Sequence, residues 1–404
     1  MRYKLELVLF TCLIFLAGAL GYWQGQYIAA LRYSPDQSHS ILLVGATVGW
    51  IFIYSLIKKD LRLNFPYRKI FLLLILDLFV VCFFRNDFSK SLRNFTSILL
   101  TYGIVFFLSS LIQSIKLKHV LFILNLVILL VIGASAFVHV TKVGPLTFFA
   151  HDNMMLRMGG LFPFSNIGLL AGFSLVVSLI SFWLKPSKLN IIYNSIQIVL
   201  MLVTIALTDI RSALLTAVFV GIIAILLMVK NKGQRLSLIL AIIIISTVGY
   251  FAYNIYIANT TGQQTLTESL SYRSEIWKLA VRGTFERPFS GFGSESYLAS
   301  TIEAGTLQPG LFDSHSAILG LTLQSGIPAI LLFLILYVSI FTRTFKSNFK
   351  PIVILGLYWL IAPFFWGDVY MQTIGFIQII FEITFIGLLL HGDLYSQEKE
   401  IESA

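Results

Sequence analysis

Apolar runs of about 17 to 25 residues, long enough to cross ~30 Å of hydrocarbon as helices, recur along the whole chain between short polar breaks. They centre on Leu7 to Tyr22, Ile41 to Ile57, Ile70 to Phe84, Thr96 to Ile115, Val120 to Val138, Asn166 to Trp183, Ile191 to Leu207, Ala213 to Met228, Leu236 to Tyr256, Ser316 to Phe341, Pro351 to Phe365 and Gln372 to His391. The runs are continuous and rich in Leu, Ile and Phe, whereas the strands of a membrane barrel alternate apolar with polar residues. The pattern therefore predicts an all-α, polytopic helical membrane protein with about twelve transmembrane helices. Residues 1–404 read as a single integral membrane domain. One long polar stretch interrupts the pattern, a loop over residues 257–315 between the ninth and tenth spans, with room for short helices.

Composition agrees: 57% of residues are hydrophobic and 12% charged, against roughly a quarter charged in a soluble domain. Arg2 and Lys4 precede an apolar run that reaches Ala17-Gly18-Ala19, the form of a secretion signal. The many later spans favour an uncleaved first helix. Cys12 and Cys82 sit in separate apolar runs without a CxxC or CxxH pattern and read as small buried hydrophobes.

The net charge of +10 changes the picture through its placement. The bases are dispersed over short loops, so no nucleic-acid patch forms, and topology accounts for them. With both termini cytoplasmic, the denser share lies inside, as the positive-inside rule expects. The kind of base differs as well: Lys dominates inside, while the outer loops hold Arg32, Arg85, Arg93, Arg157, Arg211, Arg273, Arg282 and Arg287. Topogenesis needs only positive charge. A planar guanidinium grips phosphate or carboxylate through two parallel hydrogen bonds, so an outer bound anion is one explanation; interfacial snorkelling is the other.

Four places could carry chemistry. Arg157 opens Arg-Met-Gly-Gly-Leu-Phe-Pro-Phe-Ser-Asn, where Gly159 and Gly160 allow close backbone approach and Asn166 can cap the next helix. Arg211 follows Thr208-Asp209-Ile210 in a tight outer hairpin, with Asp209 as its possible structural partner. From Ser271 to Phe285 the spacing predicts a short interfacial helix. Tyr272, Ile276 and Leu279 form its apolar stripe, Glu275, Lys278 and Arg282 its polar face, and Arg273 falls opposite that face, close to Trp277. His315 opens the tenth span behind Asp313 and Ser314, either of which can be the N-cap. An imidazole kept neutral by the helix dipole suits a general base, although it can equally be a polar helix start.

Other chemistries lack their groups: there is no Walker A loop, HExxH, CxxC or GxSxG, and no outer Asp-x-Asp pair for a metal-held donor. Neither a cofactor nor a metal is expected.

Taken in order, Thr208-Asp209-Ile210-Arg211-Ser212-Ala213, Tyr272-Arg273 with Trp277, then Pro288, Gly291 and Gly293, then His315-Ser316 and Gly326, resemble the O-antigen ligase and polymerase family of bacterial envelope enzymes. The stretch from Arg157 to Asn166 also resembles that family's pattern. Ser316, Gln324 and Ala329 stand where many members have Asn, Glu and Gly. The resemblance implies a multi-pass enzyme of the bacterial inner membrane with a periplasmic active site. Its donor would be a glycan on undecaprenyl diphosphate. A ligase transfers it to a sugar hydroxyl of the lipid A core, and a polymerase transfers it to another repeat unit. His315 would be the general base, Arg211 and Arg273 would stabilise the departing diphosphate, and Arg157, Asn166, Trp277 and Asp313 would help to hold substrate. A lipid-linked glycan transporter or flippase is the competing class, resting on Asp77 and Glu382 within spans.

Overall fold

The computed structural model describes residues 6–14, 67–84, 88–112, 115–141, 164–182, 184, 188–208, 211–229, 231–241, 243–244, 247, 266–292, 316–346, 349–365 and 384. These residues form helices and no strand. In chain order they are α1 (residues 6–14), α2 (Arg68–Cys82), α3 (Phe88–Ile112), α4 (Leu117–Thr141), α5 (Phe164–Ser181), α6 (Lys188–Thr208), α7 (Arg211–Met228), α8 (residues 232–241), α9 (Leu266–Glu286), α10 (Ala317–Lys346) and α11 (Lys350–Phe365). Leu117–Phe137, Lys188–Thr208 and Ile318–Lys346 are long and apolar enough to cross a membrane. Shorter apolar helices cover Tyr102–Ile112, Ile167–Ser181, Ser212–Met228 and Lys350–Ala362. The described residues are those of a helical membrane protein. Of the expected spans, the second lies outside the described residues, as do half of the first and most of the ninth and twelfth.

The core is built round α5. Every side chain from Ile167 to Ser178 is buried, the mark of a helix with neighbours on all sides; α4, α6, α7 and α11 pack against it. Small residues make that crowding possible, because apolar helices in a membrane gain by close packing rather than by leaving water. At Gly172 a Cβ would lie 2.7 Å from the Tyr358 hydroxyl. That hydroxyl, fully buried, donates to the Leu169 carbonyl at 2.7 Å and locks α11 to α5. Phe173 packs beside Trp359 with ring centroids 5.0 Å apart, and the Tyr337 hydroxyl ties α10 to α11 through the Leu360 carbonyl at 2.8 Å.

A buried polar cluster joins α4, α5 and α6. Asn125 Nδ2 donates to Ser178 Oγ at 2.8 Å and Asn125 Oδ1 accepts from Ser174 at 2.6 Å. Gln197 Nε2 donates to Ser174 Oγ at 2.8 Å and to the Asn125 carbonyl at 3.1 Å. In hydrocarbon each of these groups would be costly without a partner, so the cluster fixes the register of three helices that shape alone would let slide.

Two contacts orient the bundle. Arg235 Nη2 donates to the Val229 carbonyl at 2.7 Å, and Lys350 Nζ donates to Leu227 at 2.7 Å. Both cations serve the carbonyl-rich C-terminus of α7, where the helix dipole favours positive charge. The end of α7, the end of α10 with Arg343 and Lys346, and the start of α11 therefore share one basic end. The starts of α7 and α10 lie at the opposite end.

The cysteines divide. Cys82 is buried, its thiol donating to the Leu78 carbonyl at 3.2 Å, and neither cysteine is in a disulfide. Cys12 is exposed, contrary to the expectation of burial. It shares with Val8, four residues earlier, the face of α1 turned away from Phe10 and Ile14, the residues that reach the core.

Candidate active site

The polar stretch contributes α9, which starts earlier than the spacing predicts and lies along the first half of α10. Ile276 and Ala280 are buried against Leu323, with Leu279, Leu319 and Phe292 closing round them. Position 273 lies three residues before Ile276 and seven before Ala280; at ~100° per residue it shares their face, the one turned to α10. Glu275, Lys278 and Arg282 are exposed on another face. There Arg282 Nε lies 3.4 Å from Glu286 Oε1, a surface pair worth only ~0.3–0.5 kcal/mol.

Behind α9 the chain turns at residues 287–292 and is spliced into α10. α10 is broken at Gly326, whose φ of 84° and ψ of 179° are not helical, and Pro328 follows. In an unbroken helix the Ile327 amide would donate to the Leu323 carbonyl. Here Ile327 N donates to the Pro288 carbonyl at 2.7 Å, and the Leu323 carbonyl accepts from Phe292 N at 2.9 Å. The turn thus satisfies both halves of the missing rung. Two glycines permit this approach. A Cβ at Gly326 would lie 2.7 Å from the Phe289 carbonyl carbon, and one at Gly291 would lie 2.4 Å from that of Gln324. Both have positive φ, a conformation that costs other residues. The Arg287 guanidinium lies 4.8 Å over the Phe292 ring and braces the turn.

Arg211 is the first residue of α7, and Ser316, buried, immediately precedes α10. Both therefore lie at the end opposite the basic one. α6 ends at Thr208, just before α7, so α5, its antiparallel neighbour, starts at that same end with Asn166 in its first turn. The clamp to α10 holds the backbone of Arg273 and Trp277 there as well. Helix N-termini carry partial positive charge, and those of α5, α7 and α10 all open onto this end, a setting that favours an anion. Trp277 is partly exposed at 36%. Arg157, Asp313 and His315 lie outside the described residues, His315 next to Ser316 in the chain. Among the described residues no three His, Cys, Asp or Glu side chains come together to hold a metal.

The transporter candidates lie elsewhere. Asp77, on α2, has a buried Oδ2 without a hydrogen-bond partner, and Glu382 lies outside the described residues. Sequence reasoning missed the Asn125–Ser174–Ser178–Gln197 cluster. Ser174 and Ser178, four apart within an otherwise apolar run, were the available signal. It also missed the splice, although Pro288, Gly291 and Gly326 stood out individually.

Residues 196–334 match the family described as O-antigen ligase. Over 143 residues the chain is 28% identical to an O-antigen ligase of Pseudomonas aeruginosa, a match covering 35% of this chain and 33% of that relative. The chain therefore aligns with about a third of the length of the curated relative it matches. Both findings support an O-antigen ligase family. The matched stretch contains Arg211, Arg273, Trp277 and His315, and begins only after Arg157 and Asn166.

Proposed function

We propose that this chain, similar over residues 196–334 to the O-antigen ligase family, transfers O-antigen glycan from undecaprenyl diphosphate to a sugar hydroxyl of the lipid A core. The reaction takes place at the periplasmic face of the bacterial inner membrane. The observation that supports it best is the clamp between α9 and α10, which puts position 273 on the face turned to the helix that His315 introduces.

In this scheme His315 takes the proton of the acceptor hydroxyl as its oxygen attacks the anomeric carbon of the donor. The bond from that carbon to the diphosphate oxygen breaks, and undecaprenyl diphosphate leaves with the electron pair. Arg211 and Arg273 neutralise the charge that grows on the diphosphate, with Arg157 in support. Asn166, Trp277 and Asp313 hold the sugars. The diphosphate ester carries the driving force, so the scheme uses neither ATP nor a metal. A single displacement inverts the anomeric centre, and a product that retained its configuration would exclude it.

The test is the lipopolysaccharide of a deletion strain complemented with wild type or with His315→Ala, examined beside the undecaprenyl-linked glycan pool. The expected result for His315→Ala is core-only lipopolysaccharide with long chains accumulating on the lipid carrier. Core carrying a single repeat unit would instead mean a polymerase joining repeat units on undecaprenyl diphosphate. The unpartnered Asp77 Oδ2 favours a second reading, a lipid-linked glycan transporter or flippase; that reading requires Asp77→Asn to abolish export while His315→Ala leaves the banding unchanged.

A further inference from the structure

Ile318–Lys346 has 29 residues; at 1.5 Å per residue that is ~43 Å of helix, against ~30 Å of hydrocarbon. Arg343 and Lys346 hold its far end at the headgroups. Counting back from Thr342, the residue before Arg343, about 20 residues, the length that spans ~30 Å, reach Leu323, within a turn of Gly326. The break at Gly326 therefore lies within a turn of the opposite edge of the hydrocarbon, and the surplus turns of α10 before it reach into the boundary layer. α9 and the 287–292 turn are fixed to those surplus turns by the Ile276–Ala280–Leu323 packing and by the splice.

At that level α9 has three edges. One is buried on α10. The second is polar, with Glu275, Lys278 and Arg282. The third is apolar and exposed: Trp277 at 36%, Val281 at 44% and Phe285 at 74%, continued past the helix by Phe289 at 75%. Residues four apart stack into one stripe on a helix, so the three helical residues form a single edge. The polar edge runs beside it. Past the break α10 shows exposed apolar side chains at Leu331, Ile335 and Val338, but among the described residues it shows none between Ile318 and Ile330, where α9 covers it.

We propose that α9 is an interfacial anchor whose Trp277–Val281–Phe285 edge, with Phe289, sits in the boundary layer of the bilayer while Lys278 and Arg282 meet the headgroup phosphates. The aromatic residues match the belt that membrane proteins place at this depth, and the basic edge complements the phosphates. The expected helix is present, but its faces are divided differently: Ile276 and Leu279 serve the protein, and in this proposal a second stripe serves the lipid. The anchor holds the backbone of Arg273 at headgroup level, where a phosphate carried on a lipid resides.

Nitroxide labels on the full-length protein test this. The background is Cys12→Ser with Cys82→Ser, reconstituted in vesicles of phosphatidylethanolamine and phosphatidylglycerol. Labels at Phe285→Cys and, independently, at Phe289→Cys are compared with labels at Lys278→Cys and Arg282→Cys. The anchor requires the two Phe positions to collide several-fold more with dissolved oxygen, and several-fold less with a water-soluble nickel chelate, than the two basic positions. Equal access to the nickel chelate at all four would put the edge in water. Poor access to both reagents at Phe285 and Phe289 would mean that protein covers them. Either result would overturn the proposal.

Discussion

Replacing Gly326 by Ala attacks the splice between α10 and the 287–292 turn at its centre. A φ of 84° with a ψ of 179° lies in a region open essentially to glycine alone, and a side chain there costs about 1–3 kcal/mol. The added Cβ would also lie 2.7 Å from Phe289 C and O and 2.8 Å from Pro288 O. These are backbone atoms that cannot swing aside, so the turn must lift away. Lifting it removes the bonds from Ile327 N to Pro288 O and from Phe292 N to Leu323 O, each worth about 1 kcal/mol net and more if its partner stays dry. The local cost comes to about 3–6 kcal/mol. Amide hydrogen exchange in detergent or nanodiscs measures it directly. Exchange at Ile327 and Phe292 should accelerate by about a hundredfold or more, since 1.4 kcal/mol is tenfold, while the α4–α5–α6 amides keep their protection. Gly291→Ala should give the same signature, and the double variant should cost less than the sum, because one docking is lost only once. Unchanged exchange at Ile327 and Phe292 in a folded Gly326→Ala protein would refute the splice.

Other substitutions test other parts. Gly133→Ala, on α4 with nothing within 4 Å of the added carbon, should raise thermal stability by about 0.5–1 kcal/mol, read as a higher unfolding midpoint. Gly172→Ala should do the opposite: it displaces the Tyr358 hydroxyl, 2.7 Å from the new carbon, and costs about 1–3 kcal/mol as that buried donor loses Leu169. Asn125→Ala removes the hub of the polar cluster; detergent unfolding should show a loss of about 1–2 kcal/mol, since hydrogen bonds between helices in membranes are individually modest. Arg273→Lys keeps the charge but loses the planar fork; glycan transfer to the core should fall about tenfold or more, the effect of ~1.4 kcal/mol.

Much of the helical plan was legible in the sequence, because a membrane allows few alternatives: a run of Leu, Ile and Phe has to satisfy its own backbone, and only a helix does so within one segment. The faces of α9 were half legible. Periodicity gave the polar edge of Glu275, Lys278 and Arg282 and put Arg273 opposite it. It could not reveal which apolar edge met protein and which met lipid, since Ile276 and Phe285 are equally hydrophobic. Gly291 and Gly326 were visible only as unconnected motif positions. Their relation lies in two hydrogen bonds between segments some 35 residues apart in sequence, and no local pattern encodes that. Asn125 and Gln197 were hidden in the same way: Asn125 stands alone among apolar neighbours, Gln197 is one of several polar residues in its run, and nothing local pairs the two until the helices are brought together.

The spliced rung means that the upper part of α10 is not made by α10 alone. Pro288 O and Phe292 N stand in for atoms that a continuous helix would supply from within itself, so the joint is a composite of two strips of chain. Among the described residues, every group that forms it lies at or before Phe292 or at or after Ser316. A protein severed between those positions keeps all of them, and its two fragments, made together, should find each other and rebuild the joint in the membrane.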